Sequence, residues 1–212
     1  MPRAGSAAVI VSKLPRAFYD RPTLDVARDL IGKVLVHRRQ GVITSGAIVE
    51  VEAYIGEDDP ACHAAPGPTR RNEPLYGAPG RAYVYLNYGI HCLVNVVTEA
   101  EGSPAAVLIR ALDPIDGVAV MRRRRSRAVK GRRAPIETVA TLDLCRGPGN
   151  LTMAMGITLA ENRLDLTGER LFVEDRGLAA GPISWGTRIG IRVGTERPWR
   201  AWATGSAAVS RS

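Results

Sequence analysis

The apolar positions of the chain repeat with two different periods, and each stretch predicts an element. Over Thr23–Ile31, Leu24, Ala27 and Ile31 fall at i, i+3 and i+7. Thr23 stands where an N-cap belongs and Gly32 where a helix stops, so this stretch predicts a helix. Lys33–Arg38 and Gly46–Tyr54 then alternate with the period of two that marks strands. Residues 55–81 break every period with five prolines and four glycines, which predicts a long irregular loop. Ala82–Leu86 and Cys92–Val97 read as strands joined through Asn87-Tyr88-Gly89, a hairpin connection. Ala105–Ala111 reads as a further strand, and Asp113-Pro114 as the opening of a helix that runs into an arginine-rich block. A helix over Val139–Leu144, a Gly147–Asn150 turn, a short helix from Leu151, and strands near Leu171–Glu174 and Arg188–Val193 follow. Strands grouped in hairpins, with helices between and after them, argue a single α+β domain over residues 16–204. Residues 1–15 and the tail 205–212 read as loosely ordered.

Composition narrows the class. The 45% apolar and 24% charged content is that of a globular protein, and no run approaches the roughly 18 apolar residues of a membrane span. No secretory leader is legible, so a cytoplasmic, monomeric protein is expected. The three cysteines are widely spaced without a CxxC pair, which argues against a disulfide framework or a zinc site, and no cofactor motif is present. The net charge of +8 comes from one place: Arg122–Arg133 carries eight basic residues and no acidic one. Such a block suits a polyanion, nucleic acid above all, with Arg122, Arg123, Arg124 and Arg125 as candidate backbone contacts; a solvated loop is the alternative.

The chemistry clusters upstream. Five of the six tyrosines, at 54, 76, 83, 85 and 88, fall within 35 residues, and His63 and His91 lie in or just past that window. Surfaces that stack on planar ligands use such clusters, although tyrosine's strand propensity alone would account for Tyr83 and Tyr85. In GAIVEVEAY, period-two geometry puts Ile48, Glu50, Glu52 and Tyr54 on one face and the apolar residues on the other, with the two carboxylates roughly 7 Å apart. Strand glutamates usually face water; a carboxylate beside stacking residues in a basic protein instead suits chemistry at the sugar of a nucleotide. Arg110 stands among apolar neighbours in AAVLIRA, so it is either exposed at a strand end or held by an acid, a phosphate or a water.

Five strings, IVEVEAYIGEDDPACHA, TRRNEPLYGAPGRAYVYLNYGIHCLVNVV, AVLIRALDPIDG, LCRGPGNL and RPWRAW, occur in this order. Together they closely resemble the alkyladenine, or 3-methyladenine, DNA glycosylase family, over about Phe18–Arg200. The resemblance implies a curved antiparallel sheet with surrounding helices and a hairpin that enters the DNA minor groove. It implies an enzyme of base excision repair that flips alkylated, deaminated or etheno purines from duplex DNA and hydrolyses the N-glycosidic bond. Residue by residue, it makes Glu52 the base that activates water and Arg110 a partner that helps hold that water. It puts Tyr54 on one face of the flipped base with His63 and Tyr85 on the other, Asn95 at the base edge, and Tyr88 in the gap left in the duplex. Leu75-Tyr76, Ile90, His91 and Ala201 depart from the usual residues of the family, a difference that bears on substrate range.

The physics of such a reaction fits these residue types. Flipping costs a few kcal/mol, which a minor-groove wedge partly offsets. A cationic alkylpurine is favoured between aromatic faces and leaves readily, so one carboxylate suffices. Lys33 and Lys130 are the only lysines after the N-terminal region, so a Schiff-base lyase step is not expected. Two rival readings stand beside this one: a non-catalytic binder of damaged DNA, and an enzyme of free nucleosides or RNA, which has no use for a residue at a hairpin tip.

Overall fold

A computed structural model of the chain describes residues 11–127 and 139–210. The described residues form one α+β unit around a nine-stranded sheet in which every strand pair is antiparallel. The strands are β1 Ser12–Lys13, β2 Val34–Arg39, β3 Val42–Ile55, β4 Ala82–Asn87, β5 His91–Val97, β6 Ala105–Asp116, β7 Leu171–Asp175, β8 Ile183–Gly186 and β9 Arg200–Ala203. They run β1-β7-β2-β3-β6-β5-β4, with β8–β9 joined to β3. The helices are α1 Arg16–Tyr19, α2 Thr23–Leu30, α3 Val118–Arg127 and α4 Pro148–Met155. Among the described residues, no helix is long and apolar enough to cross a membrane.

Strand β3 organises the sheet. Its first half pairs with β2 and its second half with β9, while β6 follows it along the other side. Glu50 and Glu52 lie in the stretch flanked by β9 and β6, so they sit in the middle of the sheet rather than at an edge. Register shifts at Ile48/Glu50 and Glu50/Val51 interrupt strict alternation, and Ile48 joins the hydrophobic core instead of sharing a polar face with the glutamates. Helix α2 packs across β3 and β6, and α4 across β5 and β6.

Several expected elements are corrected. Helix α2 buries Thr23, Val26, Ala27 and Leu30, while Leu24 is exposed; Pro22 precedes the first turn and Thr23 bonds to Thr98 and Glu99 instead of capping. Asp113-Pro114 does not open a helix. Pro114 sits opposite Gly46 beside a register shift, where a missing N–H is tolerated, and β6 continues to Asp116. The turn into α3 comes at Gly117, whose φ of +74° and 2.4 Å approach of a would-be Cβ to the Ile43 carbonyl leave room only for glycine. Between Val139 and Leu144 only a 3₁₀ turn forms, over Thr141–Asp143. Arg188–Val193 is not a strand: Gly190 and Gly194 take positive φ and the segment is an irregular loop. At the ends, Ser12–Lys13 pairs with β7, and the tail around buried Ala208 sends the Ser210 N–H to Glu50 Oε2 at 2.7 Å.

Candidate active site

A cleft of about 510 Å³ opens on one face of β3–β6–β5–β4. Cross-strand partners share a face, and the pairings Glu52↔Leu108, Leu108↔Asn95 and Asn95↔Tyr83 therefore draw one row of side chains across the sheet. Leu108, Asn95 and Tyr83 line the cleft, joined by Tyr54, Ala106, Arg110, Leu93 and Tyr85 from the neighbouring rows. Three other segments supply walls: Pro60–His63, Ile189–Val193 and the hairpin residues Asn87 and Tyr88.

Glu52 lies beneath this floor with no exposed surface, yet each of its oxygens is engaged. Oε1 accepts the Ile189 N–H at 2.6 Å; Oε2 accepts the Tyr54 hydroxyl at 2.9 Å and lies 3.0 Å from Arg110 Nη1. Arg110 also donates through Nε to Glu50 Oε1 at 3.1 Å, and Arg200 reaches the same oxygen at 3.2 Å. Two buried carboxylates thus face two guanidiniums. An unpaired charge here would cost several kcal/mol, so the four groups hold one another in place. Burial pulls the Arg110 guanidinium down in pKa, but Glu52 and Glu50 outweigh it and the net direction is up. Tyr54 is pushed far up, first by burial and then by Glu52, so its hydroxyl stays a donor to the carboxylate.

A further part of the lining is aromatic. His63 Nδ1 and the Tyr83 hydroxyl are 2.9 Å apart, and the His63 ring meets Tyr85 edge-on at 4.4 Å between centroids. Burial, helped by Arg71, lowers the His63 pKa, which keeps the ring neutral near pH 7. Burial moves Tyr83 up to about 12. Asn95 is nearly buried and donates Nδ2 to the Tyr83 carbonyl at 3.0 Å, in the same row as Glu52.

The hairpin tip has a different character. Tyr88 and Gly89 both take positive φ, and the Ile90 N–H bonds to the Asn87 carbonyl, the signature of a type I′ turn. A tyrosine in that conformation costs about 1 kcal/mol or more. Tyr88 is 86% exposed and Ile90 71% exposed, so packing within the chain does not repay that strain.

The structure thus gathers Tyr54, His63, Tyr85, Tyr88, Asn95 and Arg110 at one cleft, with Glu52 directly behind it. Among the described residues of the arginine block, none lines the cleft. Arg122 bonds to Val139 and Thr141, Arg124 to the Ala154 carbonyl, and Arg125 to Met153 Sδ, while Arg123 is exposed. The remainder of the block, from residue 128 to Arg133, lies outside the described residues. The sequence pairs Glu50 with Glu52 on one strand but does not reveal its tie to Arg110 and Arg200, nor the places of Asp59, Arg188 and the 189–193 wall. The alternation of Ile189, Ile191 and Val193 was a real signal, but these side chains line the cleft without belonging to a strand. All three cysteines are unpaired, with Cys62 and Cys145 buried.

The site is thus an aromatic cleft over a buried, arginine-paired carboxylate. The sequence profile of the methylpurine-DNA glycosylase family matches residues 17–207. A protein named as a 3-methyladenine DNA glycosylase from Methanocella arvoryzae is 48% identical over 203 residues, covering 93% of this chain and 96% of its own. Proteins of the same name from Chlorobium phaeobacteroides and Rhodopseudomonas palustris are 45% and 47% identical, covering 94% and 99% of this chain and 96% of their own. The chain belongs to the methylpurine-DNA glycosylase family, whose members are hydrolases of N-glycosyl bonds in DNA base excision repair.

Proposed function

We propose that this protein is a monofunctional glycosylase that flips an alkylated purine out of duplex DNA and hydrolyses its bond to deoxyribose with a water activated by Glu52. The observation that carries the reading is the placement of Glu52: a carboxylate fixed by Arg110, Tyr54 and the Ile189 amide against an aromatic cleft. In this reading the flipped base lies between Tyr54 and the His63–Tyr85 pair, and Asn95 meets its edge. Tyr88, already exposed and strained at the hairpin tip, fills the space the nucleotide leaves in the stack. A neutral His63 suits a cationic base, since an imidazolium would repel it. The alkylated base is a good leaving group, so a single carboxylate serves both to take the proton of water and to face the oxocarbenium-like sugar. The Arg122–Arg125 region, through Arg123, adds sequence-independent attraction to the phosphates. Among the described residues no lysine lines the cleft, which favours water as the nucleophile.

The test is product analysis on duplexes each carrying one defined damaged purine. Free base together with an uncut abasic strand is the expected outcome. Binding without any release of base would establish the non-catalytic reading, and β-elimination products at a competent rate would overturn the monofunctional one.

A further inference from the structure

Behind the cleft lies a second buried ion pair to which the mechanism above gives no task. Arg188 and Asp59 side chains are both fully covered and joined twice, Nη1 to Oδ2 at 2.5 Å and Nη2 to Oδ1 at 2.8 Å. The Arg188 guanidinium lies over the Tyr54 ring, 4.7 Å from its centroid, and over Trp199 at 5.2 Å. Arg188 also donates to the Ala53 carbonyl, immediately before Tyr54, and to the Gly194 carbonyl at the end of the cleft-lining loop. Asp59 accepts the Ala61 N–H, at the start of the wall that carries His63, and Arg197 stands 3.9 Å from it. Tyr54 itself lines the cleft, whereas neither Arg188 nor Asp59 does.

We propose that the Asp59–Arg188 pair is a specificity-determining charge balance behind Tyr54: Arg188 fixes the ring, and Asp59 cancels its charge so that the ring's open face accepts a cationic base. Such a balance presupposes the stacking role given to Tyr54 above. Two cations on opposite faces of one ring repel each other and compete for the same π-density. A base stacked about 3.5 Å from the ring would lie about 8 Å from the guanidinium. A bare charge at that distance, at an effective dielectric of about 20, weakens binding of a cation by up to about thirty-fold. With Asp59 bonded to both ends of the guanidinium, the base meets a neutral pair. The arginine can then hold the tyrosine without excluding the charge that distinguishes an alkylated purine from a normal one.

The experiment compares duplexes carrying 7-methylguanine with duplexes carrying its uncharged 7-deaza-7-methyl isostere, each on a 2′-fluoro sugar that blocks hydrolysis, and reads the ratio of affinities. In Asp59→Asn the preference for the charged base should fall on the order of ten-fold. In Arg188→Gln, which leaves the carboxylate behind the ring with only the partly exposed Arg197 at 3.9 Å, the preference should rise. The double variant should return close to the wild-type ratio. Opposite shifts in the two single variants are something a purely structural clamp does not produce, and either single variant suffices if the other fails to fold. An unchanged ratio in a folded variant, with both affinities falling together, overturns the proposal. Wild-type protein that binds neither lesion above undamaged duplex overturns the base-stacking reading and this inference together.

Discussion

Two charged regions of this molecule invite comparison, the arginine run at Arg122–Arg125 and the Glu50–Glu52–Arg110–Arg200 cluster under the cleft. The first dominates the charge of the sequence, yet three of its four arginines spend hydrogen bonds on their own chain. The second is inconspicuous in the sequence, but every member is buried and answers an opposite charge within 3.2 Å. Charge density along a sequence therefore says little about where charge acts. What matters is whether the fold removes the group from water, because only there does a fixed partner decide its state.

The largest effect is expected at Glu50. Glu50→Leu removes the carboxylate that Arg110 and Arg200 share and the acceptor of the Ser210 N–H, so thermal unfolding should show a loss of about 3 kcal/mol or more. A loss below about 1 kcal/mol would mean that water, not the glutamate, satisfies those arginines. Tyr88→Ala comes next. It should leave Tm unchanged while weakening binding to lesion duplexes by about ten-fold or more, because an exposed ring contributes little to the fold and the wedge much to the complex. Arg124→Ala has the smallest effect. Losing its bond to the Ala154 carbonyl should cost about 1 kcal/mol of stability and leave the salt dependence of DNA binding unchanged. A salt slope reduced by about one unit would instead place this arginine on a phosphate.

Much of this architecture was legible in the residues, and the failures have physical causes. Strands β2 to β6 announced themselves because alternation is a local property, as did the hairpin tip. In α2, Ala27 and Ile31 are buried as the stripe expects, whereas Leu24 is apolar but exposed and Val26 and Leu30 complete the buried face. Pro114 read as a helix start because the register shift that lets a strand accommodate it is set by β3, far away in sequence. The glutamates read most simply as solvent-facing because nothing local reveals that β9 covers β3 just where Glu50 and Glu52 stand. Asp59 and Arg188 were invisible for the same reason: a buried pair 129 positions apart leaves no pattern in either segment.

In the proposed function Glu52 performs chemistry and is not merely a structural member of the ion-pair cluster. The most direct measurement is the single-turnover rate of base release from a duplex with one cationic alkylpurine, at saturating enzyme, with affinity determined in parallel. Glu52→Gln retains the shape and an acceptor oxygen but cannot take a proton from water; it should bind within a few-fold of wild type and release base on the order of a thousand-fold more slowly. A Glu52→Gln protein that turns over at a rate close to wild type would contradict the account.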